Sequence, residues 1–169
     1  MVLELAVPSE NSWQGMMEDA TVFIAYVVSF SQIYLVWKNH HDLFEKAEVI
    51  SQRTFVLNGI WLFFCTLVPF NTRWIGEAPD SLLPELLYVA DLALWSVMFQ
   101  IMDFSVLKDN PGTKPDSTNQ KHFRFLLYGG FVLAAVLGMI QPRLCMIVMF
   151  VFTMIEVVWI IAKGDSQKS

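Results

Sequence analysis

Residues 123–162 read FRFLLYGGFVLAAVLGMIQPRLCMIVMFVFTMIEVVWIIA, two long apolar runs parted only by Gln141, Pro142 and Arg143. A bilayer core about 30 Å thick is crossed by roughly 20 helical residues, and each run approaches that length. The break between them is too tight for anything but an antiparallel helical hairpin. The chain is therefore read as all-α, with lipid as its solvent.

Three further segments toward the N-terminus have the same character. The spans are placed at Asp19–Lys38, Thr54–Phe70, Pro84–Leu107, Phe123–Gln141 and Leu144–Ala162, about five transmembrane helices in a single membrane domain over residues 1–169. In the short second span Trp61 and Trp74 are expected as interfacial anchors, and Pro69 is expected to end the helix. Composition agrees: 55% of the 169 residues are hydrophobic and 16% charged, too apolar a balance for a soluble domain of this size. Cys65 and Cys145 both fall inside apolar runs and read as small buried residues, not as a disulfide framework. A net charge of −5 with scattered acids offers no basic face to nucleic acid.

Lysines and arginines set the orientation. Lys38, Lys46 and Arg53 follow the first span, Lys108, Lys114, Lys121 and Arg124 follow the third, and Lys163 and Lys168 follow the last, so nine of eleven lie on one side. That side is assigned to the cytoplasm, with the C-terminus. The segment before Asp19 then lies outside, yet residues 1–18 contain no signal peptide. Met1–Pro8 read as the last turns of an apolar helix, followed by an interfacial loop of Asn11, Ser12 and Trp13. One more helix ahead of Met1 would place both termini inside.

Few residues invite chemistry. His40 and His41 beside Asp42 suggest a metal site or proton relay, but adjacent residues do not share a helix face and no further His or Cys completes a shell. The alternative is an interfacial cap in which the imidazoles bond helix ends and neighbouring polar groups. Polar residues inside the spans are Asn58, Asp91, Gln100, Asp103 and Glu156. Asp91 and Glu156 either line an ion or proton path or sit as neutral carboxyls bonded between helices. Asp103 is expected to be an interfacial charge near Lys108. Gly130, Ala134 and Gly138, four apart, give the fourth helix a small-residue stripe for a close neighbour, in this chain or another subunit. Enzyme motifs are absent: there is no G-x-S-x-G, phosphate loop or H-E-x-x-H, and only three histidines in all. No cofactor or metal is expected.

From Phe23 to Thr72 the sequence FIAYVVSFSQIYLVWKNHHDLFEKAEVISQRTFVLNGIWLFFCTLVPFNT resembles the second and third helices of the transmembrane protein 175 family of potassium channels. The resemblance rests on Ala25–Phe30, the Trp37-x-x-His40-His41 group, Leu57-Asn58 and the Pro69-Phe70 exit. Tyr88–Ala162 agrees in span number and in the closing hairpin. The resemblance implies helices two to six of a six-helix repeat with cytoplasmic termini. It also implies single-repeat prokaryotic subunits that form homotetramers in the cell (inner) membrane and pass potassium ions through a central pore.

In that family the pore is lined by the first helix, which carries an R-x-x-x-F-S-D motif. No such motif occurs here; Phe30-Ser31-Gln32 lacks the aspartate and lies in the wrong helix. On the family pattern Trp37, His40, His41 and Asn58 would pack around that motif, a structural role in holding the pore helix. The chain as it stands is thus expected to lack the conducting element and to be poorly stable or nonconducting alone. Two other readings remain at this point: a proton-coupled small transporter using Asp91 and Glu156, and a nonconducting scaffold associating through the Gly130, Ala134 and Gly138 face.

Overall fold

A computed structural model describes Trp13, residues 20–115 and residues 121–166. The expected remnant of a preceding helix in residues 1–18 lies outside the described residues, Trp13 excepted. Five long helices follow one another: α1 (Ala20–Glu45), α2 (Gln52–Glu77), α3 (Leu82–Asp109), α4 (Lys121–Ile140) and α5 (Arg143–Ser166). No strand occurs among the described residues. Of these helices α2, α3 and α4 are each long and apolar enough to cross a membrane, and a further apolar stretch runs over Arg143–Ile155. The central member is α3, which meets α2, α4, α5 and α1, while α1 also packs on α2 and α5.

The helices are apolar on the outside and carry their polar groups inside, as lipid requires. On α3, Leu83, Leu87, Leu94, Val97, Ile101 and Phe104 are exposed. Its opposite face buries Glu85, Tyr88, Asp91, Leu92, Trp95, Phe99, Met102, Asp103 and Val106. The spacing of three and four puts the second set on one side of a helix.

The link between α1 and α2 is fixed from α3. Asn110, just past the end of α3, accepts at Oδ1 from the backbone N–H groups of Glu48 (3.0 Å) and Val49 (2.8 Å). Its Nδ2 donates to the carbonyls of Val49 (2.8 Å) and Val106 (2.9 Å), so its hydrogen-bonding capacity is used in full. Ser51 caps α2 by accepting from Thr54 N, and Thr54 Oγ1 donates to Asp109 at 2.9 Å.

Pro69 does not end α2, contrary to expectation; the helix continues to Glu77 with Pro69 inside it. The missing N–H removes one bond to Cys65 C=O, whereas stopping would strip the whole following turn of partners in lipid. Beyond the proline Asn71, Thr72 and Ile75 are buried in the bundle, which holds the segment in place.

In the closing hairpin the small-residue stripe of α4 faces α5 of the same chain. A Cβ on Gly130 would come within 2.5 Å of the Phe152 ring, and one on Gly138 within 3.2 Å of Cys145 Cβ, while Ala134 is wholly buried. The face is thereby occupied within the chain and is withdrawn as a surface for a scaffold.

α4 lies beside only the first part of α3. Gly138 is near Leu82, and Arg124, in the first turn of α4, bonds Ser96. Lys121 is then level with about residue 99 of α3, so about ten residues of α3, or roughly 15 Å, extend past the start of α4.

Candidate functional site

Polar side chains meet α3 in two inner layers, built from helices that supply them at helical spacing. The first lies between α1, α2 and α3. His40 Nε2 is 2.8 Å from Asn58 Oδ1, and since an amide oxygen only accepts, Nε2 carries the hydrogen. The imidazole stacks on Trp61 with ring centroids 4.4 Å apart and an angle of 17°, and touches Phe44 at 4.7 Å. Trp61 in turn meets Trp95 of α3 at 5.4 Å. Both indoles are buried and neither N–H has a partner among the described residues. An indole nitrogen only donates, so this cluster is rich in donors and short of acceptors. Each orphan N–H costs about 1–3 kcal/mol unless something accepts from it.

Of the four residues expected to cooperate here, His40 and Asn58 are brought together and Trp37 and His41 are not. Those two stack on each other, 5.6 Å apart, on the outward side of α1, where Trp37 is 59% exposed. No group of three or more His, Cys, Asp or Glu suited to a metal ion occurs among the described residues. Of the expected bonds to helix ends and neighbouring polar groups, His40 makes the second kind, to a side chain partway along α2.

The second layer lies toward the start of α3. Thr72 Oγ1 donates to Val68 C=O at 2.7 Å, so it accepts from Ser29 Oγ at 2.6 Å, and Ser29 accepts from the Tyr88 hydroxyl at 3.1 Å. Hydrogen counting leaves only this direction, Tyr88 to Ser29 to Thr72 to backbone, and it ties α1, α2 and α3 into one relay. Beside it Asn71 Nδ2 donates to Asp91 Oδ2 at 3.0 Å, while Asp91 Oδ1 is buried without a partner among the described residues. Glu156 is on α5, and its side chain lies outside the described residues.

Three buried ionisable side chains were missed or misplaced in the reading of the sequence. Glu85 is 1% exposed with Oε2 unpartnered among the described residues, and its backbone carbonyl receives the Cys145 thiol at 3.8 Å. Beside Pro84 it looks like an ordinary first-turn acid; its spacing of three from Tyr88 and seven from Leu92 is the signal that it turns inward. Arg124, counted with the loop cations, is 6% exposed and donates to Ser96 Oγ at 2.6 Å. Asp103, expected at an interface near Lys108, is wholly buried on the inner face of α3, and Lys108 is exposed. Gln100 accepts from Tyr128 at 3.3 Å.

Comparison with known proteins bears on what such a bundle does. A family model described as endosomal/lysosomal potassium channel TMEM175 matches residues 1–69. A potassium channel of Chryseobacterium sp. (strain P1-3) is 26% identical over 172 aligned positions, covering 100% of this chain and 88% of that one. One of Chamaesiphon minutus (strain ATCC 27169 / PCC 6605) is 30% identical over 83 positions, 46% of this chain and 41% of the other. The crystal structure of a lysosomal potassium-selective channel TMEM175 homolog from Chamaesiphon minutus superposes with a TM-score of 0.78 at 23% identity, covering 93% of this chain and 86% of that one. At that identity the likeness speaks for a shared fold.

Proposed function

Because this chain belongs to the TMEM175 family, a family of potassium channels and not of enzymes, we propose that it is a subunit of a homotetrameric channel that passes potassium ions across a prokaryotic cell membrane. The reading also places the lysine-rich loops and the C-terminus in the cytoplasm. The observation that carries it is the interlock of His40, Asn58 and Trp61 between α1 and α2, which lies within the matched residues 1–69. Its orphan indole donors call for acceptors, and the partner we propose is the pore-lining helix of the family's repeat, whose motif carries serine and aspartate. The cluster then acts structurally. It holds the conducting helix and does not touch the ion, which passes an apolar constriction by size and wetting. Trp37 and His41 face outward and are proposed to meet a neighbouring subunit.

A proton-coupled carrier is the second reading, favoured by the Oδ1 of Asp91, buried and unpartnered among the described residues. Potassium-driven flux into proteoliposomes, made from protein expressed with its native genomic context, separates the two. A channel gives flux that needs no proton gradient and saturates weakly with potassium. Flux that appears only with an opposing proton gradient would favour the carrier instead.

A further inference from the structure

The end of α2 remote from Ser51 carries a cavity of about 340 Å³ lined, among the described residues, by Phe70, Arg73, Trp74 and Glu77. The four fall on one face of its last two turns by their spacing of three and four. Phe70 and Trp74 have ring centroids 5.7 Å apart and planes inclined at 56°, forming two walls of an aromatic notch. Arg73 Nε donates to Glu77 Oε1 at 2.8 Å, and both side chains are more than half exposed, at 64% and 61%. Among the described residues the notch thus offers one positive group, one negative group and two ring faces, open to its surroundings.

Position narrows what meets it. With 26 residues α2 is about 39 Å long, more than the roughly 30 Å of hydrocarbon, so this end reaches headgroup level, where tryptophan is favoured. A lone anion would be opposed by Glu77 and a lone cation by Arg73. A ligand carrying both charges satisfies each: phosphate oxygens take guanidinium N–H donors, while an ammonium sits against the carboxylate and the ring faces. Below the notch Phe63 and Val56, seven and fourteen residues before Phe70, are 58% and 52% exposed and continue one apolar stripe down the helix. That stripe is a track for an acyl chain.

We propose that the Phe70, Arg73, Trp74 and Glu77 notch binds the headgroup of a zwitterionic phospholipid. The ammonium rests on Trp74 and Phe70 beside Glu77, the phosphate on Arg73, and one acyl chain lies along Phe63 and Val56.

Native mass spectrometry of the full chain in detergent tests it, with palmitoyl-oleoyl phosphatidylethanolamine and the phosphatidylglycerol of the same chains as probes. Phosphatidylethanolamine should be retained about tenfold better, a difference of about 1.4 kcal/mol that one cation–π and one ionic contact supply. Trp74→Ala should erase that preference, and soluble phosphoethanolamine should displace the lipid. Equal retention of the two lipids overturns the site, and so does failure of phosphoethanolamine to compete, since the chains alone would then account for binding. Where Trp74→Ala fails to fold, Glu77→Gln keeps both rings and alters only charge. It should turn the preference toward phosphatidylglycerol, and an unchanged preference overturns the proposal.

Discussion

His40 and Asn58 are worth more as a pair than either is alone. In Asn58→Leu the imidazole Nε2–H loses its acceptor at a half-buried position, and the loss should lower stability by about 1–3 kcal/mol. His40→Phe keeps a ring on Trp61 and strands the Asn58 oxygen instead. The double variant removes both polar partners, so its destabilisation should fall about 1 kcal/mol or more short of the sum of the singles. Denaturation in detergent, followed by tryptophan emission, measures the cycle; strict additivity would mean the bond contributes nothing. Asn110→Ala is a second test at this scale. It deprives Glu48 N and Val49 N of their acceptor, and the loop between α1 and α2 should gain faster amide exchange while the middle of the helices does not. The family pattern named His40 and Asn58 together and the structure brings them within 2.8 Å, whereas other residue placements were harder to read. They were obscured where a charged side chain near a helix start turns inward. Arg124 and Glu85 both look like boundary residues in one dimension, and only the packing of α4 and α5 against α3 decides their direction.

Adjacent glycines on α4 give opposite expectations from one element. Gly129 faces open space, with nothing within 4 Å of an added Cβ, so Gly129→Ala should stabilise the helix by about 0.5–1 kcal/mol. Gly130 faces Phe152, and Gly130→Ala forces that ring aside at a cost of about 1–3 kcal/mol. Phe152→Leu in the same chain should recover part of the loss. Thermal unfolding of the three variants reads the signs, and equal effects at both glycines would deny the α4–α5 seam. This stripe was visible as a four-residue spacing, but which helix covers it was not, because spacing fixes a face and says nothing of the neighbour. Pro69 shows the converse. A proline is the strongest local stop signal, and it was overridden because α1 and α3 take up the buried face of Asn71, Thr72 and Ile75 beyond it. In lipid, where an ended helix leaves backbone groups with no water to bond, tertiary packing decides.

For the whole molecule, the all-helical class and the closing hairpin follow from hydropathy and the brevity of Gln141–Arg143, since a bilayer fixes the length of whatever crosses it. The helix ends were less legible: α1 runs to Glu45 and α2 to Glu77, each past its expected end at Lys38 and Phe70, because a helix packed on its neighbours need not stop where its apolar run does. The central place of α3 was not legible at all, for it depends on which faces meet. That place sharpens the remaining choice between pore and carrier. Asp91 is on α3, and its bond to Asn71 of α2 reads equally as a fixed strut and as a resting state of a moving carboxyl. Asp91→Asn together with Glu156→Gln keeps side-chain size and an acceptor for Asn71 while removing both ionisable groups. A pore lined by another helix should pass potassium at the wild-type rate after this exchange, since neither group touches the ion. A carrier that moves protons through them should fall to background. Flux and tryptophan emission read from the same proteoliposomes separate lost transport from lost folding, and background flux from a folded double variant would give the molecule to the carrier reading.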